Sequence, residues 1–137
     1  MRAVLDANIY ISAVLSPSGS PARVVAARFA GEFEAVASRR LLDELDRALA
    51  YPKVRARVAA ADADLFMERV GEVTSRPADA DRSSAFRSRD PADDYLLALA
   101  HAHRVALVTG DKDLLELADR VPIFTASRFL ELLERGE

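Results

Sequence analysis

The sequence begins with a short apolar run that ends at an aspartate, and this stretch constrains the fold more than any other. Ala3, Val4 and Leu5 carry no charge, which is typical of a strand buried on both faces of a parallel sheet. Asp6 follows at once, and residues 7–15 are long enough for a short helix. Asp6 is therefore predicted at the carboxyl end of a central strand, where open α/β sheets bind ligands. Aspartate also caps helices well, and this stretch alone favours neither role.

Short apolar runs and helical segments alternate along the rest of the chain. Strands are predicted at residues 3–5, 33–37, 105–109 and 121–124, with a weak edge strand near the start of the polar segment 76–89. Helices are predicted at about 7–15, 21–31, 39–50, 53–60, 62–73, 90–103 and 111–117, and from about 125 onward. This alternation indicates right-handed crossovers and an α/β/α sandwich around a mostly parallel central sheet. A single domain over residues 1–137 is expected.

Composition excludes several classes of protein. Half of the 137 residues are hydrophobic, so the chain is globular rather than disordered. It contains no cysteine, which excludes a disulfide scaffold, a thiolate metal site and a thiol nucleophile. No apolar run approaches the roughly 20 residues that span a bilayer, and Asp6 interrupts any signal-peptide pattern at the start. A cytoplasmic protein without membrane association is therefore expected.

Charge is distributed unevenly along the chain. The formal net charge of -3 argues against a generic binder of polyanions. Residues 38–57, however, contain six Lys or Arg side chains and three acids, which gives this stretch +3 and leaves -6 for the rest. The stretch is either an ordinary solvated helical face or a binding patch, and its charge alone does not distinguish the two.

A second acidic cluster lies at residues 43–46. Asp43 points away from the apolar face that the leucines of this predicted helix form, so it should be solvated. Glu44 and Asp46 each lie on a margin of that face, and helical phase does not choose between them.

Two further acidic clusters open helices. In the cluster at residues 90–94, Asp93 lies on the same side as Leu97 and should point inward, although acids in a first turn also complement the helix dipole. The cluster at residues 109–114 follows a predicted buried strand, and Asp111 is either a site residue or only a helix cap.

The acidic clusters at strand ends and helix starts should converge on one edge of the sheet. Grouped carboxylates repel one another, and a hard divalent cation such as Mg²⁺ or Mn²⁺ relieves that repulsion. Ions of this kind serve phosphoryl chemistry. His101 and His103 are two residues apart on a predicted helix and face different ways, so they are interpreted as surface residues. The sequence has no P-loop pattern, and no Ser/His/Asp arrangement stands out.

Four stretches together resemble the PIN domain, and more narrowly the PIN toxins of bacterial toxin–antitoxin systems. They read VLDAN at residues 4–8, LLDEL at 41–45, RDPADDYLLA at 89–98 and TGDKDL at 109–114. Each stretch is short, but their order and spacing are fairly specific and extend over almost the whole chain. The resemblance implies a PIN-like α/β/α sandwich and a metal-dependent ribonuclease. The segment 76–89 departs from the pattern, because the family often has a clearer strand there.

The resemblance also implies which residues form the site. The catalytic and metal-binding acids would be Asp6, Glu44, Asp93 and Asp111, with the family pattern choosing Glu44 over Asp46. Asp94 and Asp113 are second choices as metal ligands, and Asn8 and Thr109 are the supporting polar residues. The candidate contacts to RNA phosphates, which position RNA without reading its sequence, are Arg39, Arg40, Lys53, Arg55 and Arg57.

The predicted function is that of an endoribonuclease, in which water attacks an RNA phosphodiester in line with the help of one or two Mg²⁺ or Mn²⁺ ions. The implied partners are the RNA substrate, a small antitoxin that blocks the site and a second copy of the chain in a homodimer. A PIN fold that binds RNA or protein without cleavage is the alternative. A haloacid-dehalogenase-like phosphatase is disfavoured because Asn8, rather than an acid, lies two residues after Asp6. A receiver domain is disfavoured because the sequence lacks its paired acids near the end of the first strand and its phospho-accepting aspartate after the middle strand.

Overall fold

Five strands form the sheet of this computed structural model, which describes residues 1–72, 74–75 and 94–136, with only the backbone described for 74–75. The strands are β1 (Arg2–Leu5), β2 (Glu34–Val36), β3 (Thr74–Ser75), β4 (Ala106–Val108) and β5 (Ile123–Phe124). They lie in the order β3-β2-β1-β4-β5, and every neighbouring pair is parallel. The prediction of a mostly parallel sheet is confirmed.

Helices connect and flank these strands. In the described part of the chain they are α1 (Ala7–Leu15), α2 (Ser20–Phe29), α3 (Arg39–Leu49), α4 (Pro52–Arg55), α5 (Ala60–Glu72), α6 (Asp94–His103), α7 (Lys112–Leu115) and α8 (Ala126–Glu134). Together with the sheet they form the α/β sandwich that the alternation predicts. Over the same described residues, no helix has the length and apolar character needed to cross a bilayer.

The central position belongs to β1, whose side chains suit burial on both faces. Ala3, Val4 and Leu5 are completely buried. β1 pairs with β2 on one side and with β4 on the other, where Leu5 lies opposite Val108. The backbone N–H of Asp6 donates to the carbonyl oxygen of Val108 at 3.0 Å, so the pairing continues to the residue where the strand ends. The predicted central strand that ends at Asp6 is confirmed.

The helices bury their apolar side chains against the sheet and against one another. Residues 95–100 of α6 are all buried, and this helix packs on β1 and β4. α1 packs against α2 and α3, and α2 packs against α8. Phe33, just before β2, meets Phe129 of α8 edge to face, with ring centroids 4.9 Å apart. The buried apolar side chains therefore form one continuous core that covers both faces of the sheet.

Several boundaries differ from those expected from the sequence. The edge strand β3 pairs with β2 and lies just before, rather than inside, the polar segment 76–89. The helix expected at 111–117 is the single turn α7, because the chain continues after it in three-residue turns such as the one that joins the N–H of Ala118 to the carbonyl of Leu115. The expected helix start at 90–93 lies outside the described residues, as does the segment 76–89.

A buried arginine ties α2 to the end of α5, and the sequence gives no sign of it. Arg28 is only 2% exposed, and its Nη2 donates to the carbonyl oxygen of Val70 at 3.1 Å. Burial lowers the pKa of this guanidinium. Among the described residues, its Nε and Nη1 have no hydrogen-bond partner. The contact holds the end of α5 against α2.

Ser38 caps α3, the helix that carries Glu44, and its contribution to stability is measurable. Its hydroxyl is buried and accepts a hydrogen bond from the N–H of Leu41 at 3.2 Å. We expect Ser38→Ala to lower the free energy of unfolding in urea by about 1 kcal/mol. Ser18→Ala, in the exposed turn before α2, is the control and should change it by less than about 0.5 kcal/mol. Equal effects of the two substitutions would show that the cap does not stabilise α3.

Candidate active site

Asp6 occupies the turn from β1 into α1 and is 5% exposed. Its Oδ1 accepts a hydrogen bond from the backbone N–H of Asn8 at 3.4 Å, which caps α1. Its Oδ2 accepts a hydrogen bond from the hydroxyl of Thr109 at 2.8 Å. Asp6 is therefore both a helix cap and a buried carboxylate at the carboxyl end of the central strand, so the two roles left open by the sequence are compatible.

Thr109 connects the end of β4 to Asp6 through its hydroxyl group. Its side chain is fully buried, and its Oγ1 donates to Asp6 and accepts from the backbone N–H of Asp111 at 3.0 Å. Asp111 in turn caps α7, where its Oδ1 accepts from the backbone N–H of Asp113 at 2.9 Å. This chain of hydrogen bonds fixes the positions of Asp6, Thr109 and Asp111 relative to one another across neighbouring strands.

The structure distinguishes Glu44 from the other acids of α3. Glu44 is half-buried, and its Oε2 accepts a hydrogen bond from the hydroxyl of Tyr95. Asp43 and Asp46 are exposed, and Asp43 lies 3.8 Å from Arg39 instead. The prediction that Asp43 is solvated is confirmed. Of the two acids that helical phase left open, it is Glu44 that approaches α6 and the sheet edge.

The charges of Glu44 and Asp111 both act on Asp6. Burial raises the pKa of Asp6 above its ordinary value, and the negative charges of Glu44 and Asp111 raise it further. The hydrogen bonds from Thr109 and Asn8 lower this pKa, but they do not cancel the effect of burial. Three of the four predicted acids therefore lie around one region at the carboxyl ends of β1 and β4.

Tyr95 belongs to this region, although sequence reasoning did not assign it a role. Its side chain is 5% exposed, its hydroxyl donates to Glu44, and the Cζ of Arg40 lies 4.2 Å from the centroid of its ring. Burial, and next the hydrogen bond to Glu44, raise the pKa of Tyr95, so the hydroxyl keeps its proton and acts as a donor. The sequence did contain a signal for Tyr95, because this residue directly follows the acids of RDPADDYLLA at the start of a helix predicted to enter the site.

The described carboxylates have the chemistry that a hard divalent cation prefers, because all their donors are oxygen atoms. Among the described residues, no group of three potential ligand side chains is arranged to hold a metal ion by itself. Mg²⁺ usually keeps several water ligands and binds through one or two carboxylates together with substrate phosphate, so a complete cage of protein ligands is not required. Asp93, the fourth predicted acid, lies outside the described residues.

The remaining acidic and polar candidates lie near the same helix starts. Asp94 and Asp113, the second choices as metal ligands, are half-buried in the first turns of α6 and α7. Asn8 is exposed and donates its backbone N–H, at the first turn of α1, to Asp6. Of Asp111 and its rival Asp113, it is the charge of Asp111 that raises the pKa of Asp6.

The basic candidates are not equivalent. Arg40 lies against Tyr95 and so reaches the acidic region, whereas Lys53 and Arg55 are exposed on α4. Arg57 donates its Nη2 to the carbonyl oxygen of Leu15 at 3.0 Å and so fixes the end of α1. Arg39 is the partner of Asp43 described above. Only Arg40 therefore contacts a residue of the acidic region among the described interactions of these five side chains.

The fold and the acidic residues at the sheet edge are those expected of the protein family that the sequence matches. The family model described as the PIN domain matches residues 2–113, a stretch that includes all four predicted acids. The chain therefore belongs to the PIN-domain family, whose members are nucleases and generally use divalent metal ions. The resemblance noted in the sequence is confirmed at this level.

Two known proteins are similar to this chain. The uncharacterized protein MJ1680 of Methanocaldococcus jannaschii is 25% identical over 120 residues, which cover 87% of this chain and 76% of that protein. The crystal structure of VapBC2 from Rickettsia felis bound to a DNA fragment from their promoter contains a chain with a TM-score of 0.62 and 13% identity, covering 91% of this chain and 98% of that one. At this identity the likeness shows the fold, and it confirms the PIN-like α/β sandwich.

The raised pKa of Asp6 predicts how the metal-free protein responds to pH. Between the unfolded pKa and the higher folded pKa, the folded state binds more protons than the unfolded state, so the free energy of unfolding falls as pH rises and stays reduced above this window. Asp6→Asn removes the charge and should raise the free energy of unfolding at pH 7 in the presence of a chelator. The gain should disappear below the ordinary pKa of 3.8, where Asp6 is neutral in both states.

Urea denaturation of the wild type, Asp6→Asn and Asp43→Asn at pH 7 and pH 3 measures this effect. Asp43→Asn is the matched control, because its carboxylate is exposed and should show no comparable gain at pH 7. An Asp6→Asn protein that is less stable than the wild type at pH 7 would contradict the electrostatic cost assigned to Asp6.

Proposed function

We propose that this chain is a metal-dependent endoribonuclease and the toxin of a toxin–antitoxin pair. The observation that carries the proposal is the buried carboxylate of Asp6 at the end of β1, on which the charges of Glu44 and Asp111 act. Buried carboxylates whose pKa is raised by burial and by neighbouring charges are found more often at catalytic sites than elsewhere. Membership of the PIN family supports nuclease activity, and the likeness of the four sequence stretches to PIN toxins supports RNA as the substrate.

The proposed cofactor is Mg²⁺ or Mn²⁺, in one or two copies. When bound, such an ion supplies an activated water and neutralises negative charge on the phosphate that is attacked. Asp6 and Asp93 are the proposed direct ligands, and Glu44 and Asp111 complete the site directly or through water. The hydroxyl of Thr109 orients Asp6 by holding its Oδ2 at 2.8 Å, which is the role that hydrogen bonds to metal ligands commonly have.

Basic side chains next to the acids are proposed to hold the RNA backbone. The candidates are Arg39, Arg40, Lys53, Arg55 and Arg57. Arg40 is the best placed of them, because it lies against Tyr95, which donates to Glu44. Contacts of this kind fix the register of a nucleic acid but do not select its sequence.

The proposed partners are a small antitoxin that covers the acidic edge and a second copy of the chain, and the proposed location is the cytoplasm. The similarity in fold to a chain of VapBC2 supports a protein partner. A PIN-fold module that binds RNA or protein without cleavage is the alternative. The cap of α1 alone does not require the neighbouring charges of Glu44 and Asp111, which favours the nuclease.

Substitution of Asp6 tests the proposed function. Asp6→Asn replaces a full negative charge with a neutral amide, and the loss of metal-assisted charge stabilisation should reduce cleavage of single-stranded RNA in Mn²⁺ by roughly a hundredfold or more. Gel analysis of an end-labelled RNA measures the rate, and circular dichroism checks that the variant is folded.

Two controls make the result decisive. Asp43→Asn removes an exposed carboxylate of the same type and should cleave like the wild type. Excess chelator should abolish cleavage by the wild type. A folded Asp6→Asn protein with near-normal activity would remove Asp6 from the mechanism, and RNA binding without cleavage by the wild type in Mn²⁺ or Mg²⁺ would favour the binding module.

A further inference from the structure

Helix α3 carries two arginines that each precede an acid by four residues, and only one of these two pairs forms an ion pair. Arg39 precedes Asp43 by four residues, as Arg40 precedes Glu44. Arg39 and Asp43 lie 3.8 Å apart although both are largely exposed. Arg40 and Glu44 are both half-buried, yet the ion pairs within the described part of the chain do not include one between them. Helix geometry allows such a pair, and both side chains instead contact a residue of another helix.

Tyr95 makes that contact with both members of the second pair. The centroid of its ring lies 4.2 Å from the Cζ of Arg40, so the guanidinium stacks on the aromatic face. Its hydroxyl donates a hydrogen bond to the Oε2 of Glu44. A single side chain from α6 thus holds the cation with its ring and the anion with its hydroxyl.

We infer that Tyr95 is a positioning residue that keeps Arg40 and Glu44 from neutralising each other, so that Glu44 serves the divalent cation and Arg40 serves an RNA phosphate. This inference rests on the proposed function. If Arg40 and Glu44 paired, the site would lose an anionic ligand and a phosphate contact at the same time.

The environment of Arg40 suits an anion from outside the chain. A guanidinium stacked on a ring keeps its N–H edge available for planar, two-point hydrogen bonding to phosphate. Arg40 also lies in the first turn of α3, and this turn contains no acid. The positive end of the helix dipole disfavours a cation there and favours a bound anion. An RNA phosphate would therefore supply the negative charge that balances Arg40, because Glu44 does not pair with it.

Binding of Mn²⁺ without RNA tests the role of the hydroxyl. Tyr95→Phe keeps the ring and removes only the donor, so Glu44 should turn to Arg40 and the Kd for Mn²⁺ should rise about tenfold or more in isothermal titration calorimetry. Arg40→Met should not weaken Mn²⁺ binding, because it removes a neighbouring cation. The double variant should recover to within about threefold of Arg40→Met. Tyr51→Phe, at an exposed tyrosine, is the matched control and should match the wild type.

Recovery in the double variant is the result that a merely structural role of Tyr95 would not produce. If Tyr95→Phe binds Mn²⁺ like the wild type, or if Arg40→Met fails to restore the weakened binding, the inference is wrong. Melting temperatures of all four variants check that each is folded.

Binding of single-stranded RNA in chelator tests the other half of the inference. Each phosphate contact adds about 0.7 to the slope of log affinity against log salt concentration for a single strand. Arg40→Met should lower this slope by about 0.7, and Tyr95→Phe should lower it similarly, because Arg40 is then engaged by Glu44. An unchanged slope in Tyr95→Phe would overturn the inference.

A crystal structure of Tyr95→Phe separates failure of this inference from failure of the proposed function. If the wild type binds no Mn²⁺, the proposed cofactor is wrong, and the separation of charges by Tyr95 is decided by the structure alone. An Arg40–Glu44 distance below 4 Å in Tyr95→Phe supports the separation, and an unchanged arrangement of the two side chains overturns it.

Discussion

The buried carboxylate of Asp6 is the constraint on which the rest of the site depends. β1 places it at the end of the central strand, under neighbours that leave it little contact with water. The hydroxyl of Thr109 and the N–H of Asn8 offset only part of the cost, and the charges of Glu44 and Asp111 add to it. A buried carboxylate with this electrostatic cost is typical of a binding or catalytic site, and its oxygen donors are of the kind that a divalent cation prefers.

The parallel sheet explains why residues far apart in the sequence meet. Because β1 and β4 are parallel neighbours, Asp6 and Thr109 follow them at the same edge, and a hydrogen bond joins the two residues. α3 then brings Glu44 to this edge, where the hydroxyl of Tyr95 from α6 donates a hydrogen bond to it. The ring of Tyr95 holds Arg40 beside the acids, and among the described residues no ion pair joins Arg40 to Glu44.

Features that follow from local pattern, and the convergence of strand ends at one sheet edge, could be predicted from the sequence, whereas particular side-chain contacts between elements could not. The uncharged run before Asp6 was enough to predict a central strand and its end, because two-sided burial leaves a direct mark on composition. Helical phase placed Asp43 in solvent but did not separate Glu44 from Asp46, since that choice depends on Tyr95 of another helix. Arg28 was missed for the same reason, because its partner lies 42 residues further on.

The central claim is that the acids at the carboxyl edge of the sheet form one metal site, and anomalous diffraction from a crystal soaked in Mn²⁺ tests it most directly. The account predicts a peak at that edge, about 2.1 Å from an oxygen atom of Asp6, with Glu44 and Asp111 bound to the ion or to its water ligands. The peak should be absent from crystals of Asp6→Asn. A wild-type crystal with no Mn²⁺ at this edge, or with Mn²⁺ bound only elsewhere, would contradict the claim.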